Sequence, residues 1–142
     1  MAEQHAQTTW EGDLSSGSGT VSLDSGTEHR VSWRARAEEP GGGQTSPEEL
    51  IAGALSACFS MALSGSLAKA GTPPRKLDTD AVTTFEKVGD GFRMTRIALT
   101  VRGDVDAEAD ALRAAAETAK ENCPVSQALK GNVEITLDAG LA

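Results

Sequence analysis

Short β-like runs alternate with turns rich in Gly, Ser and Thr over the first 45 residues. The runs at 8–13, 19–23 and 29–37 predict three strands. The third run has period two, which predicts one apolar and one polar face. Its apolar positions are Val31, Trp33, Ala35 and Ala37, and its polar ones are Arg30, Ser32, Arg34 and Arg36. A β region over 8–37 is therefore predicted, followed by the glycine-rich loop "EEPGGGQT" at 38–45.

The next segment, "SPEELIAGALSACFSMALSGSLAKAG", is apolar on nearly every face. Ser46 suits the N-cap, Pro47 the first helical position, and Glu49 completes a capping box. Gly71, followed by two prolines, ends the segment. The pattern predicts a long central helix over 47–70. Its many small residues indicate burial within its own domain or, alternatively, additional packing against its copy in a dimer.

A hairpin and a helical segment complete the chain. Strands are predicted at 80–88 and 92–105 around a "GDG" turn, which gives a β hairpin over 80–105. An alanine-rich helix opens at Asp106, a short helix restarts at 123–130, and 132–138 alternates as a strand. The C-terminal helices and strand thus cover 106–138. The order β-β-β-α-β-β-α-α-β predicts an α+β fold in a single domain over 1–142.

Composition and charge exclude several classes of function. The net charge is −8 and aromatic residues make up only 4%, which argues against nucleic acid and anionic membranes as partners. The chain contains no uninterrupted apolar run of about 18 residues, so no membrane span is predicted. The first residues resemble no signal peptide, so we expect a cytoplasmic location. In a reducing compartment the two cysteines would be free thiols, metal ligands or redox catalysts.

Most cysteine-based sites do not fit the spacing. No CxxC motif is present, and a zinc site would have only His5, His29 and two distant cysteines as soft ligands. His5 lies near the terminus and His29 in a turn, which disfavours a papain-like pair. We therefore expect no metal site and no bound cofactor.

Cys58 lies in the middle of the predicted helix, where an inert buried cysteine is the ordinary interpretation. Burial would raise its pKa, and the helix start is too far away for its dipole to act. A reactive thiolate would need a cation, for which Arg34 and Arg36 are candidates on one strand face. Glu48 could hold that arginine. It precedes Cys58 by about 15 Å of helix, so an arginine must bridge the gap or the glutamate must come from a partner chain.

Cys123 lies between two predicted helices, just before Pro124. It is either a plain helix junction or a thiol that feels the helix dipole and is less buried than Cys58. Packing of the helices could bring Cys58 and Cys123 into disulfide range.

These residues carry a resemblance to a known family. "SPEELIAGALSACFSMALS" and "CPVSQALKGNVEITLD", in this order and each with a cysteine, closely resemble the OsmC family within the OsmC and organic hydroperoxide resistance superfamily. "WEGD" and "GTVS" near the start also fit. The resemblance covers nearly the whole chain and favours the OsmC branch. It implies an OsmC-like α+β fold, an intertwined homodimer and a thiol peroxidase active in oxidative and osmotic stress.

The resemblance also assigns roles. Cys58 matches the peroxidatic cysteine, Cys123 the resolving cysteine, Glu48 the active-site glutamate and Arg36 the catalytic arginine, with Arg34 as the alternative. It implies a Cys58 sulfenic acid, a Cys58–Cys123 disulfide and reduction by a lipoyl-type dithiol or lipoylated protein. Organic hydroperoxides would be the preferred substrates.

Other interpretations remain open at this stage. The side chains around Cys58, namely Leu55, Phe59 and Met61, could line a pocket for an alkyl chain or belong to the core. A dimeric module that binds an apolar ligand is an alternative function. A peroxide sensor has no support, because no DNA-binding element is visible.

Overall fold

The computed structural model describes residues 1–142, which form an α+β fold of six strands and four helices. The chain divides into two compact units, residues 1–50 and 51–142. The six strands form two sheets of three strands each. The order is β-β-β-α-α-β-β-α-α-β, which adds one short helix to the predicted order.

The first unit contains an antiparallel sheet in the order β1-β2-β3. Its strands are β1 (Ala6–Glu11), β2 (Ser18–Leu23) and β3 (Glu28–Val31). The first two predicted strands are confirmed to within two residues at each end. The third is correct only as far as Val31.

The prediction of a strand through residue 37 was wrong, because the chain turns into the short helix α1 (Trp33–Ala37). Ser32 caps this helix: its Oγ accepts a hydrogen bond from the Ala35 backbone N–H at 3.2 Å. Ala and Arg are also good helix formers, which the period-two pattern obscured. Over five residues an alternating pattern and a helical one are hard to distinguish.

The long helix α2 (Pro47–Lys69) begins where the sequence predicted. Ser46 Oγ accepts a hydrogen bond from the Glu49 backbone N–H at 3.1 Å. In a complete capping box the Glu49 carboxylate would also accept from the Ser46 backbone N–H. Here it accepts from the Thr45 hydroxyl at 2.7 Å instead. At the far end Gly71 takes a left-handed φ of +83°, which terminates the helix.

The second unit contains the sheet β4-β5-β6. Strand β4 (Lys76–Val88) pairs antiparallel with β5 (Gly91–Asp104), and β5 pairs in parallel with β6 (Glu134–Leu141). Strand β4 starts four residues before the predicted residue 80. Gly89 turns the hairpin with a φ of +62°, as the "GDG" signal predicted.

Two helices connect β5 to β6: α3 (Ala109–Asn122) and α4 (Pro124–Leu129). Helix α3 begins three residues later than predicted, because the chain bends at residues 106 and 107 and its N-cap, Glu108, has an extended backbone. Pro124 is the first residue of α4, as predicted.

The core of the second unit is formed by α2, β5 and α3. Helix α2 contributes residues at intervals of four, and β5 contributes alternate residues, so both periodicities are those of a one-sided apolar face. All the core members are at most 7% exposed. They include Leu55, Phe59, Leu63, Leu67, Ile97, Leu99, Val101, Leu112, Ala116, Ala119 and Cys123.

Helix α2 is buried on only one side. Leu55, Phe59 and Leu63 are fully buried, whereas Gly53, Ala57, Met61 and Gly65 are exposed. By length and composition alone, α2 could cross a membrane, a test that core helices of globular proteins also pass. Within the 18-residue stretch of α2 that has the highest mean hydropathy, 28% is buried. The burial pattern marks α2 as a core helix with one uncovered apolar face.

Candidate active site

The two thiols lie together within the second unit. Cys58 comes from the middle of α2, packs against the core and is partly exposed. Cys123 forms the junction between α3 and α4 and belongs to the core itself. Cys123 lies close enough to Cys58 to raise the pKa of its thiol, and both cysteines are free. Packing of the helices has thus brought together two residues 65 positions apart in the chain.

Cys123 is fixed by a local pair of hydrogen bonds. Its Sγ donates to Ser126 Oγ at 3.0 Å and accepts from the Ser126 backbone N–H at 3.4 Å. Cys123 is 1% exposed and Ser126 4%. The expectation that Cys123 is less buried than Cys58 was wrong. The α3–α4 junction turns inward, and Val125 and Leu129 pack beside it against the core.

The pKa of Cys58 is raised from the ordinary thiol value. The largest cause is burial, which disfavours the thiolate. A hydrogen bond with Cys123 and repulsion from its sulfur raise the pKa further, whereas the Val125 backbone N–H lowers it by donating to Cys58. The sequence-based expectation that burial raises this pKa agrees in direction. A reactive thiolate at this position therefore still needs a cation.

Arg36 and Glu48 form a paired site within the first unit. Arg36 Nε donates to Glu48 Oε1 at 3.1 Å and to Oε2 at 3.0 Å, and Nη2 donates to Oε1 at 2.7 Å. The side chains are 33% and 11% exposed. The guanidinium carbon also lies 5.9 Å from the centre of the Trp33 ring. This fork of bonds to one carboxylate fixes the guanidinium plane while leaving a third of the side chain accessible.

Arg34 and Arg36 do not share a face, contrary to the prediction from a strand. On α1 they are two residues apart, which turns their side chains about 200° from each other. Arg34 donates to Glu39 at 2.7 Å instead, in a pair with both side chains 66% exposed. Arg30 is exposed and donates to Ser18 Oγ.

An apolar cavity of about 350 Å³ opens in the first unit beside Arg36. Its wall includes both tryptophans of the chain, Trp10 and Trp33. The other apolar side chains that line it are Leu14, Val21, Val31, Pro47 and Leu50, and Thr8 and Ser32 add polar groups. No local pattern predicted this cavity, although two tryptophans in a chain with only 4% aromatic residues were a usable signal.

The side chains proposed as a pocket around Cys58 have other positions. Leu55 and Phe59 are fully buried members of the core, and Met61 is 76% exposed. No group of three or more His, Cys, Asp or Glu side chains is arranged to hold a metal ion. His5 bonds Asp24 at 2.9 Å near the chain start, and His29 lies on β3.

Comparison with known proteins identifies the family of this chain. Residues 40–138 match the family model described as OsmC-like protein. The peroxiredoxin OsmC of Escherichia coli is 44% identical over 133 residues, which covers 93% of this chain and 92% of the relative. The protein of the same name in Shigella flexneri matches equally. The chain therefore belongs to the OsmC-like protein family.

Solved structures show the same fold at lower identity. An organic hydroperoxide resistance protein OsmC from Legionella pneumophila superposes with a TM-score of 0.79 at 22% identity, covering 99% of both chains. The organic hydroperoxide resistance protein OhrB of Bacillus subtilis gives a TM-score of 0.75 at 24% identity, over 95% of this chain and 97% of its own. The α+β fold predicted from the sequence is thus confirmed.

Proposed function

We propose that this protein is a thiol-dependent peroxidase that reduces hydroperoxides, preferably organic ones, in defence against oxidative stress. The observation that carries the proposal is the pairing of Cys58 with Cys123 in one hydrophobic core. A partly exposed thiol beside a buried one suits a peroxidatic and a resolving cysteine. The 44% identical relative named peroxiredoxin OsmC supports the same activity.

The chemistry takes place in two steps at the cysteines. The Cys58 thiolate attacks the distal oxygen of the hydroperoxide, the O–O bond breaks, and the alkoxide leaves as an alcohol after taking a proton. The sulfur is now a sulfenic acid. Cys123 attacks this sulfur, the S–O bond breaks, and water leaves. Two thiols have become one disulfide, and the hydroperoxide has gained the two electrons.

Arg36 and Glu48 are proposed to serve the first step. Placed beside Cys58, a guanidinium would offset the burial that raises the thiol pKa, and it would stabilise negative charge on the oxygen as the O–O bond breaks. Glu48 holds the guanidinium plane through three hydrogen bonds. Arg36 is preferred over Arg34, because Arg34 is held by Glu39 on an exposed surface. Mixing Glu48→Gln with Cys58→Ser distinguishes a site within one chain from a site shared between two chains.

The substrate preference rests on the cavity beside Arg36. Its apolar wall and volume of about 350 Å³ fit an alkyl or aryl group better than hydrogen peroxide, which is small and polar. A lipoyl-type dithiol, free or on a lipoylated protein, is proposed to reduce the disulfide. The uncovered apolar face of α2 supports a homodimer.

Hydroperoxide consumption by cysteine variants tests the function. With tert-butyl hydroperoxide and a dithiol, the wild type should turn over repeatedly and pass through an intramolecular disulfide. Cys58→Ser should consume none, because the nucleophile is gone. Cys123→Ser should consume one equivalent per chain and then stop or over-oxidise. Full turnover by Cys58→Ser would contradict the proposal, and a protein that only binds an apolar ligand would show no turnover in any form.

A further inference from the structure

The Cys58–Cys123 pair is asymmetric in a way that bears on how its disulfide is reduced. Cys58 is partly exposed, whereas Cys123 is 1% exposed. An external thiol must reach a sulfur in order to attack it. In the reduced protein Cys58 is the more exposed residue of the two, so access favours attack on its sulfur and departure of Cys123.

Ser126 provides the second part of the asymmetry. Its hydroxyl lies 3.0 Å from Cys123 Sγ and its backbone N–H lies 3.4 Å from the same atom. The hydroxyl accepts from the neutral thiol, and because it can rotate, it can donate to a thiolate instead. Cys123 can therefore be stabilised by two donors when it leaves with the electron pair, without any movement of the backbone.

We propose that Ser126 is a positioning residue that makes Cys123 the leaving thiolate, so that the external dithiol attacks Cys58. The inference rests on the proposed peroxidase cycle and specifies its reductive half. One thiolate of the dithiol bonds to Cys58 Sγ, the Cys58–Cys123 bond breaks, and the electron pair goes to Cys123 Sγ. The second thiol then attacks the reductant's own sulfur in the mixed disulfide and releases the Cys58 thiolate. The dithiol becomes a cyclic disulfide, and its two protons go to the two cysteines.

The attacked sulfur can be identified in the wild-type protein. The disulfide is made with diamide, so that this test does not depend on reactivity toward hydroperoxides. A monothiol such as 2-mercaptoethanol is added, the reaction is quenched with acid, and the released thiol is blocked with N-ethylmaleimide. Trypsin separates the peptides 37–69 and 121–130, one cysteine in each. We expect the mixed disulfide on Cys58 and the maleimide on Cys123; the reverse labelling overturns the proposal.

The role of Ser126 is tested by comparing the two half-reactions. Ser126→Ala should slow reduction of the diamide-made disulfide about tenfold or more, since a hydrogen bond to a charged sulfur is lost. It should leave oxidation of Cys58 by hydroperoxide unchanged. Ser126→Thr restores a hydroxyl and should recover most of the rate. Equal slowing of both half-reactions would indicate a merely structural role, and no slowing of reduction would also refute the proposal.

Ser60→Ala is the matched control. Ser60 also lies in the second unit and is partly buried, but its hydroxyl bonds the Ser56 carbonyl and the Thr79 hydroxyl rather than a sulfur. This variant should reduce at the wild-type rate. Failure of the wild type to oxidise with hydroperoxide would refute the peroxidase, whereas the diamide-made disulfide would still decide which sulfur is attacked.

Discussion

Arg36 holds Glu48 through three hydrogen bonds, two donated by Nε and one by Nη2. The two residues are twelve positions apart, at the end of a five-residue helix and in the first turn of α2. Because the Glu48 side chain is 11% exposed and its partner remains accessible, the pair presents a guanidinium of fixed orientation to its surroundings. Such preorganisation is what stabilisation of a developing charge requires.

The first prediction concerns this pair. Glu48→Gln and Arg36→Lys should each lower kcat/KM for tert-butyl hydroperoxide by about 100-fold or more, because a preorganised donor is lost or misaligned. The double variant should be little worse than either single one, since the residues act as a unit. Unfolding in urea should show a cost of about 1–3 kcal/mol for each.

Arg34→Gln is the control for that experiment. The Arg34–Glu39 pair is exposed on both sides, so its loss should change stability by less than about 1 kcal/mol and leave activity unchanged. Activity lost with Arg34 and kept with Arg36 would reverse the assignment. Mixing Glu48→Gln with Cys58→Ser adds a further result: recovered activity in mixed dimers would show that the site is shared between chains.

The second prediction concerns the pH dependence of Cys58. Burial and Cys123 raise its pKa, so its thiolate fraction and alkylation rate should increase with pH through and beyond the ordinary thiol pKa of about 8.5. Cys123→Ala should move this profile to lower pH, because it removes two of the causes that raise the pKa. Arg36→Gln should move it to higher pH if the guanidinium acts on Cys58.

The same shift has a consequence for stability. A raised pKa means that the protonated thiol favours the folded state, so the contribution is complete below the ordinary thiol pKa and is lost as pH rises through the folded value. Reduced wild type should therefore lose more stability in alkaline solution than Cys58→Ser does. The chain has no Tyr, which leaves the ultraviolet absorbance of the thiolate clear for the titration. An alkylation profile that Cys123→Ala leaves in place would contradict this account.

The third prediction concerns the uncovered face of α2. A Cβ added at Gly53 meets no atom within 4 Å in the single chain. If a second copy packs there, Gly53→Leu should dissociate the homodimer in size-exclusion chromatography with light scattering while the secondary structure persists. Thr118→Leu, at an exposed position of α3, should leave the dimer intact. A wild type that is monomeric at micromolar concentration would refute the dimer.

The fourth prediction separates the two sides of α2 by stability. Phe59→Ala should cost about 3–5 kcal/mol, because it removes a fully buried ring from the core. Met61→Ala, at a side chain 76% exposed, should change the stability of the isolated chain by less than about 0.5 kcal/mol. Equal effects would indicate that the face bearing Met61 is also buried in the protein in solution.

The elements with strong local signals could be predicted from the amino-acid sequence. The capped start of α2, the hairpin at Gly89 and the restart at Pro124 were all predicted, because each depends on backbone preferences of a few adjacent residues. The two cysteine-containing motifs also identified the candidate thiols and the family. The stretch from Trp33 to Ala37 was mistaken for a strand, because period two and a single helical turn look alike over five residues.

The surroundings of the site residues, in contrast, are set by tertiary packing. The burial of Cys123, the two contacts from Ser126 and the choice between Arg34 and Arg36 as partner of Glu48 all depend on how helices pack and turn. Burial and side-chain direction are set by residues distant in the chain, so no local pattern encodes them. The sequence motifs identified Cys58 and Cys123 as the candidate thiols. Packing leaves Cys58 partly exposed and makes Cys123 a buried partner that is hydrogen-bonded to Ser126.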